Sequence, residues 1–362
     1  MGRMFAIAIA GTAACYAPVS AGASDGSGMR ADGGDDGGTQ DAPSFRGCFL
    51  LSCPADGSAE PLVFDGSFDT DTNARCLDDK ADRACVVLAT TVAINPDVPT
   101  IVTGSRSLAV FASEAINVSA GAQLDVLAGS AGGACVMLAS AIGDGGAGGS
   151  FGTSGGSGGA GDAGTTSAHS SSMVPVPATL SGGCPGQSAV GSASSIAAGG
   201  AAGGGLLLHS DLEIDIAGTV DVSGGGGTGG GADVGGGGGG TGGMLILDAP
   251  EIIVDNTGIA RAAGGGGGGG GADVNSVPIS GKQGDDGDVN GGGGGAGAGT
   301  CNNSGGTGYQ GSAAAPGAPG PMSCGGGGGG GGAGYIVTRT QQPITGGGLI
   351  EPSQTPVTDE PP

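Results

Sequence analysis

The sequence predicts a mainly β protein whose core is a stack of short repeat units. Four segments share one spacing, with an apolar residue at the first position and again six and eight residues later; they begin at Val86, Val110, Leu208 and Ile246. Each of the last three is followed by a glycine and a third short alternating run. Even offsets rich in β-branched residues indicate half-buried strands, because successive side chains of a strand point to opposite faces. An amphipathic helix would need offsets of three and four.

A unit of three short strands cannot bury a core by itself. The first two units start 24 residues apart (110 − 86), and units of this size must stack on one another. We therefore predict a short right-handed parallel β-helix, a solenoid, with Val110, Leu208 and Ile246 in one inward-facing row. A β-sandwich is the structural alternative, but it would need tight hairpin turns of the Asn-Gly type between these strands, and none is present.

Long glycine-rich insertions separate the units. Glycine accounts for 91 of 362 residues, and the insertions 129–205, 224–243 and 264–334 each begin after the third strand of a unit. Stacked units predict such a common exit point, since loops there project from one face. Two structures remain open for the insertions. They are either flexible loops, because glycine loses the most backbone entropy on folding, or polyglycine-II-like segments packed backbone to backbone.

Composition sets the remaining boundaries. Residues 1–15 combine a basic start with an apolar run that is too short to span a membrane, as in a signal peptide. Residues 16–46 are an acidic linker of Gly, Asp, Ser and Ala, and residues 351–362 form a Pro-rich tail. We expect both termini to be flexible. The β-helix with its insertions occupies residues 47–350.

Two processing reactions compete at the amino terminus. Residues 12–15 (TAAC) resemble a bacterial lipobox, with Thr12 where Leu is usual, and predict lipidation of Cys15. Residues 21–23 (AGA) fit ordinary cleavage before Ser24. We favour lipidation, because a cysteine at the end of a signal-peptide apolar run is otherwise unexpected. Either reaction predicts export, as an outer-membrane or cell-surface lipoprotein or as a secreted protein, with the lipid anchor as the only membrane contact.

Eight cysteines remain when Cys15 is set aside, an even number that suits an oxidising compartment. Proximity and bracketing of the insertions give four candidate disulfides: Cys48–Cys53, Cys76–Cys85, Cys135–Cys184 and Cys301–Cys324. A bridge across an insertion removes much of the entropy of an open loop. The sequence has no C-x-x-C motif, which disfavours a zinc site.

The charge excludes one class of partner. The formal net charge is −23, and residues 107–260 contain neither Lys nor Arg. Such a chain cannot neutralise a phosphate backbone, so we predict no nucleic-acid binding. An acidic surface that keeps an exported protein soluble is the ordinary interpretation.

Two stretches carry candidate calcium ligands. Carboxylates crowd together beside glycine turns in both, and hard oxygen ligands suit Ca²⁺. The residues are Asp65, Asp69 and Asp71 in the first stretch, and Asp285, Asp286 and Asp288 in the second. Neither stretch matches an EF-hand loop, and solvated acidic loops are the alternative. Ca²⁺ is the one cofactor that the sequence suggests.

Candidate catalytic groups are sparse. Asp125 and Asp221 occupy matching outward positions in two units and would stack; carboxylates on adjacent strands beside a cation would favour an enzyme acting on polysaccharide. Solvent-facing strand positions are the ordinary interpretation of both. His209 is expected at a solvated outward position, and His169 lacks the G-x-S-x-G turn of a serine nucleophile. We assign no catalytic residue.

The order of these features resembles uncharacterised glycine-rich secreted or lipoprotein families of myxobacteria and their relatives. The segments DTDTNARC at 69–76 and GMLILDAP at 243–250, alternating with poly-Gly, carry the resemblance, which extends from Cys15 to Thr340. It implies an architecture and no activity, since the β-helix fold hosts pectate lyases, autotransporter passengers and adhesins alike. We expect a non-enzymatic exported surface protein with a structural or adhesive role, in contact with extracellular glycan or matrix. The alternative is an extracellular polysaccharide-binding or polysaccharide-degrading protein.

Overall fold

A computed structural model describes residues 60–78, 84–127, 129, 135, 140–161, 175–191, 195–275, 277–288, 290–299, 301–309, 311, 313–321 and 323–356. These residues form a mainly β structure with parallel sheets, which confirms the predicted class. No helix capable of spanning a bilayer is found among them. The predicted signal peptide with Cys15, the linker 16–46 and the candidate pair Cys48–Cys53 lie outside the described residues.

The short strands alternate with turns and with the glycine-rich insertions. In chain order they are β1 Leu62–Phe64, β2 Ser67–Asp69, β3 Leu77–Asp78, β4 Ala84–Ala89, β5 Val92–Ile94, β6 Thr100–Thr103, β7 Ser107–Ala112, β8 Ala115–Val118, β9 Gln123–Val126, β10 Ala189–Val190, β11 Ile196–Ala197, β12 Gly205–Ser210, β13 Glu213–Ile216, β14 Thr219–Asp221, β15 Met244–Asp248, β16 Glu251–Val254, β17 Ile259–Arg261, β18 Ala272–Val274, β19 Val277–Ile279, β20 Tyr335–Arg339, β21 Leu349–Glu351 and β22 Thr355–Pro356.

Three sheets contain most of these strands. Sheet I has the order β22-β20-β15-β12-β7-β4-β3, sheet II the order β1-β5-β8-β13-β16, and sheet III the order β2-β6-β9-β14-β17-β21. Neighbouring strands are parallel throughout, except for the antiparallel pair β3–β4. The chain visits the sheets in a fixed order, so β7, β8 and β9 are followed by β12, β13 and β14, and then by β15, β16 and β17. Two antiparallel pairs, β10–β11 and β18–β19, lie in the insertions.

The inner faces of the three sheets share one aliphatic core. In sheet II, Val92, Ile116, Ile214 and Ile252 stand in one register row and are almost completely buried. They belong to a cluster that also holds inward residues of sheets I and III. The predicted spacing therefore aligns the units correctly along sheet II.

The predicted inward row of sheet I is wrong in one member. Val110 aligns with Leu208 as expected, but Leu208 pairs with Leu247 rather than with Ile246. Ile246 packs in a second cluster, on the opposite face of sheet I. The physical reason is that sheet I is apolar on both faces. A strand buried on both sides reads as a continuous apolar run, in which the sequence does not mark the inward residues.

The first insertion covers the outer face of sheet I. Phe151, Leu180 and Cys184 pack there against residues that include Leu207 and Ile246. The described residues contain three disulfides, and these join three of the four predicted pairs: Cys76–Cys85, Cys135–Cys184 and Cys301–Cys324. Part of the predicted tail is ordered into strands, because Glu351 ends β21 and Thr355–Pro356 pairs with β20.

Candidate functional site

The described glycine-rich residues form extended segments that are bonded to one another. We call this assembly the glycine lattice. Its segments are 143–149, 153–161, 181–187, 198–205, 222–231, 234–243, 262–271, 280–287, 291–298, 303–309, 313–320 and 324–334, and backbone hydrogen bonds connect them. Segments distant in sequence become direct neighbours in this way; Gly146, for example, donates to the carbonyl of Gly236 at 2.8 Å.

Segment 234–243 shows how the glycine lattice is built. The amides of Gly236, Gly239 and Gly242 donate to segment 324–334 at 2.8, 2.9 and 3.2 Å. The amide that follows each of these three residues donates to segment 222–231. The amides two residues after Gly236 and Gly239 donate to segment 181–187. The bonding direction therefore repeats every three residues, the period of an extended helix without internal hydrogen bonds. The carbonyls of 234–243 accept from three further segments: 143–149, 198–205 and 262–271.

Three segments occupy the centre of the glycine lattice. Segments 234–243, 262–271 and 324–334 each bond to six neighbours, and they are neighbours of one another. The other segments surround them and have fewer partners. Central segments thus use backbone donors and acceptors on all sides and leave no side open to solvent.

The central positions require glycine for steric reasons. A Cβ atom added at Gly238 would overlap the carbonyl of Ala147, and one at Gly240 would overlap the carbonyl of Ala201. At Gly225, in the surrounding segment 222–231, the nearest atom would lie at 3.4 Å, close to ordinary contact distance. Side chains within the lattice serve specific contacts, as when Thr241 Oγ1 accepts from the amide of Cys184 at 2.8 Å.

The second feature is a row of charged side chains on the outer face of sheet III. Asp125, Asp221, Arg261 and Glu351 share one register position on β9, β14, β17 and β21, and we call them the acidic row. Their neighbours along the strands point into the core; Leu124, for example, is fully buried. The predicted alignment of Asp125 with Asp221 is therefore observed, with a cation on the next strand.

Hydrogen bonding differs along the acidic row. Arg261 donates through Nε and Nη2 to Asp221 Oδ2, at 2.8 and 2.6 Å. The other oxygen of Asp221 accepts from the amide of Ser223 at 2.8 Å. Within the described part of the chain, the carboxylates of Asp125 and Glu351 have no hydrogen-bond partner. The charged groups at the centre of the row therefore have hydrogen-bond partners, whereas the carboxylates at its two ends have none among the described residues.

Burial and neighbouring charges perturb the ends of the row. Burial raises the pKa of Asp125, the charge of Asp221 raises it further, and Arg261 opposes the shift. Burial likewise raises the pKa of Glu351, with Asp288 adding to the effect and Arg261 opposing it. Burial and then the charge of Glu351 raise the pKa of Tyr309. The third insertion reaches this end of the acidic row, because a Cβ atom added at Gly311 would lie 3.7 Å from Glu351 Oε1.

The first predicted calcium stretch forms a hydrogen-bonded turn. Asp69 accepts from the amide of Asp71 and from Thr72 Oγ1, both at 2.9 Å, and these contacts lower its pKa, the amide first. Asp71 accepts from the amide and the hydroxyl of Ser105 at 2.7 and 2.9 Å. Asp65 is exposed and takes no part in these bonds. Asp69 thus stabilises the turn that follows β2, and Asp71 joins that turn to the one after β6.

The second predicted calcium stretch follows the glycine lattice. Asp286 accepts from the amide of Gly226 at 2.9 Å, Asp288 accepts from the amide of Asn290 at 2.7 Å, and the backbone carbonyl of Asp285 accepts from Gly266. In the described ranges, no three His, Cys, Asp or Glu side chains converge as potential metal ligands. Binding of Ca²⁺ by either stretch stays a prediction.

The expectation of a solvated His209 is wrong. His209 is 5% exposed, and its Nδ1 lies 2.9 Å from Oδ2 of the fully buried Asp248. Arg339 donates to both oxygens of Asp248, at 2.8 and 3.0 Å. The three residues share one register position on β12, β15 and β20, beside the ring of Phe111. The sequence does contain a signal for this cluster, because a polar residue recurs at one position in three units. The strand pattern alone does not show that the outer face of sheet I is covered, so this position reads as solvated.

Comparison of the chain with family models, curated proteins and solved structures finds no match. The class of protein is accordingly defined by its structure, which is mainly β with parallel sheets and, in the part of the chain that is described, three disulfides. Disulfides persist in oxidising compartments, so they are consistent with an exported protein.

Proposed function

We propose that this is a non-enzymatic exported surface protein with a structural or adhesive role, a parallel β-helix that carries a polyglycine-II lobe. The fixed order of visits to sheets I, II and III, with parallel registers, supports the β-helix. The threefold bonding period of the glycine lattice supports polyglycine II. The observation that carries the proposal is the set of three central segments with six neighbours each.

A lobe of this construction suits mechanical display better than catalysis. Its cohesion comes from backbone hydrogen bonds across many chain-distant segments, so it needs neither a large apolar core nor a cavity. Two disulfides fasten it, Cys135–Cys184 beside sheet I and Cys301–Cys324 at the start of segment 324–334. Each net backbone bond adds about 1 kcal/mol, and a lattice of them resists local opening.

The lobe reaches outward and ends in apolar side chains. Segment 143–149 leads to Phe151, which packs against sheet I, and Ile142 precedes Phe151 by about 28 Å of extended chain at about 3.1 Å per residue. Ile142 and Ile196 both flank Val190 in register and are 55% and 68% exposed. Contiguous exposed apolar residues at a tip favour a contact surface.

Attachment to the cell completes the proposal. A lipid on Cys15 would anchor the chain in the outer membrane. The partners would be the membrane through the lipid alone, and extracellular glycan or matrix through the folded part.

The test compares cells that make the full chain with a deletion strain. Surface biotinylation and protease shaving locate the protein, and retention of cells on matrix-coated glass measures attachment. We expect surface exposure and a several-fold loss of attachment on deletion, restored by the wild-type gene. The variant Cys15→Ala serves as the anchor control and should shift the protein to the medium. Unchanged attachment after deletion, or hydrolysis of polysaccharide by the purified chain, would contradict the proposal.

A further inference from the structure

The two ends of the acidic row carry carboxylates that lie partly out of solvent and have no hydrogen-bond donor in the described chain. Asp125 and Glu351 are half-buried, and neither side-chain carboxylate accepts a hydrogen bond from the part of the chain that the structure describes. A partly desolvated carboxylate without protein donors favours a ligand that brings donors to it. Arg261 does not meet this need, because Asp221 takes its Nε and Nη2 hydrogen bonds.

A tyrosine from the glycine lattice lies beside one of these carboxylates. Tyr309 is 8% exposed, and its amide donates to the carbonyl of Gly331 at 3.0 Å, which fixes the residue to a central segment. The chain just after this tyrosine reaches Glu351, because a Cβ atom added at Gly311 would lie 3.7 Å from Glu351 Oε1. The charge of Glu351 also raises the pKa of Tyr309, after the larger effect of burial. No described residue hydrogen-bonds the Tyr309 hydroxyl. A buried phenol with an unused hydroxyl usually serves a polar partner.

Aliphatic side chains run alongside the acidic row on the same face. Ile259 and Leu349 stand two residues before Arg261 and Glu351 and are paired in register. Leu349 is 41% exposed, and Ile101, which pairs with Asp125, is 42% exposed. The outer face of sheet III therefore offers acceptors, a hydroxyl and apolar patches in one strip.

We infer that this strip binds a linear uncharged glycan along the acidic row. The inference rests on the proposed adhesive function and names its partner. Each sugar hydroxyl both donates and accepts, so it can donate to Asp125 or Glu351 and accept from Tyr309. The C–H faces of the rings would pack on Ile101 and Leu349.

The length and charge of the strip select the ligand class. Four strands span three spacings of about 4.8 Å, roughly 14 Å, which exceeds one sugar ring and requires an oligosaccharide. A net charge of −23 repels anionic glycans. A polycation is the competing ligand, although Arg261 in the middle of the row opposes it.

The test is titration calorimetry of the full chain with cellohexaose, xylohexaose, mannohexaose and laminarihexaose. We expect one of these to bind. The double variant Asp125→Asn with Glu351→Gln should weaken binding about tenfold or more, as for lost bonds to charged acceptors, and Tyr309→Phe about threefold to tenfold. The matched control is Asp215→Asn, whose carboxyl on sheet II also has a pKa raised by burial; binding should stay within about twofold.

Three results would overturn the inference. The first is that none of the four hexaoses binds. The second is that the double variant and Asp215→Asn lose the same amount of hexaose affinity. The third is that binding disappears between about 0.05 and 0.5 M NaCl, which would indicate a groove for a polycation. Calorimetric melting of each variant verifies folding. Cell attachment separates the two proposals: if the double variant attaches like wild type, the glycan site is wrong and the adhesive role stands. If deletion leaves attachment unchanged while a hexaose binds, the adhesive role is wrong and the glycan site stands.

Discussion

One methyl group placed in the centre of the glycine lattice should test its packing directly. In Gly238→Ala, the new Cβ would overlap the carbonyl of Ala147 and push segment 143–149 away from segment 234–243. The matched control is Gly225→Ala, which adds the same atom to a surrounding segment with its nearest neighbour at 3.4 Å. We expect the two substitutions to have opposite signs.

The magnitude follows from the bonds that the methyl group disturbs. Gly146 and Gly149 donate to the carbonyls of Gly236 and Gly239 at 2.8 and 2.9 Å, on both sides of Gly238. Two such bonds are worth about 2 kcal/mol net, and overpacking adds about 1–3 kcal/mol. Alanine also reduces the entropy of the unfolded chain, which offsets about 0.4–1 kcal/mol of this destabilisation. The free energy of unfolding should therefore fall by about 3 kcal/mol.

Differential scanning calorimetry and hydrogen exchange measure the effect. Gly238→Ala should lower Tm by roughly 5 °C or more and accelerate exchange of lattice amides, since local opening becomes easier. Gly225→Ala should leave exchange unchanged and stabilise the protein by up to about 1 kcal/mol, because only the entropy term remains. Equal destabilisation by both substitutions, or none by Gly238→Ala, would refute close packing of the central segments.

Three further predictions concern the disulfides, the buried ion pair and the acidic row. Replacing Cys135 and Cys184 by Ser opens a loop with a sequence separation of 49 and should cost about 2–4 kcal/mol in urea unfolding; an unchanged midpoint would contradict this. Arg339→Met leaves the fully buried Asp248 without its main cation and should cost about 3–5 kcal/mol by calorimetry, much of it recovered on adding Asp248→Leu, and no recovery would argue against a charge effect. The pKa of Asp125 is raised above 3.8 in the folded state, so the folded state holds the proton more tightly and stability decreases as pH rises through that pKa. Asp125→Asn should accordingly be more stable than wild type at neutral pH and equal to it below pH 3.8, and urea titration at both pH values verifies the sign.

The strand pattern predicts sheet II better than sheet I for a clear reason. Sheet II has one polar face, so the spacing from Ile116 to Ile214 and Ile252 marks the inward side. Sheet I is apolar on both faces, and the unit starting at Val86 is also shifted by one, since Val87 pairs with Val110. The alternation carries register information only where one face meets water.

The acidic row was only half visible in the sequence. Asp125 and Asp221 align because the units align, whereas Glu351 belonged to the predicted tail and joins the row only because β21 extends sheet III. Tyr309 could not be found from any spacing. The lattice determines its place, through bonds between segments that are distant in the chain.

The glycine lattice nevertheless leaves a trace in the sequence that its geometry explains. The longest all-glycine runs, 264–271 and 325–332, fall in central segments, where every residue faces a neighbouring backbone. In residues 154–161 of a surrounding segment, side chains recur at every third residue, at Ser154, Ser157 and Ala160, and these are the exposed or half-buried positions. A threefold extended segment with one open side has this pattern, because only one residue in three can carry a Cβ outward. A long uninterrupted glycine run therefore indicates a segment that is surrounded on all sides. A repeat of two glycines and one residue with a side chain indicates a segment at the edge of the glycine lattice.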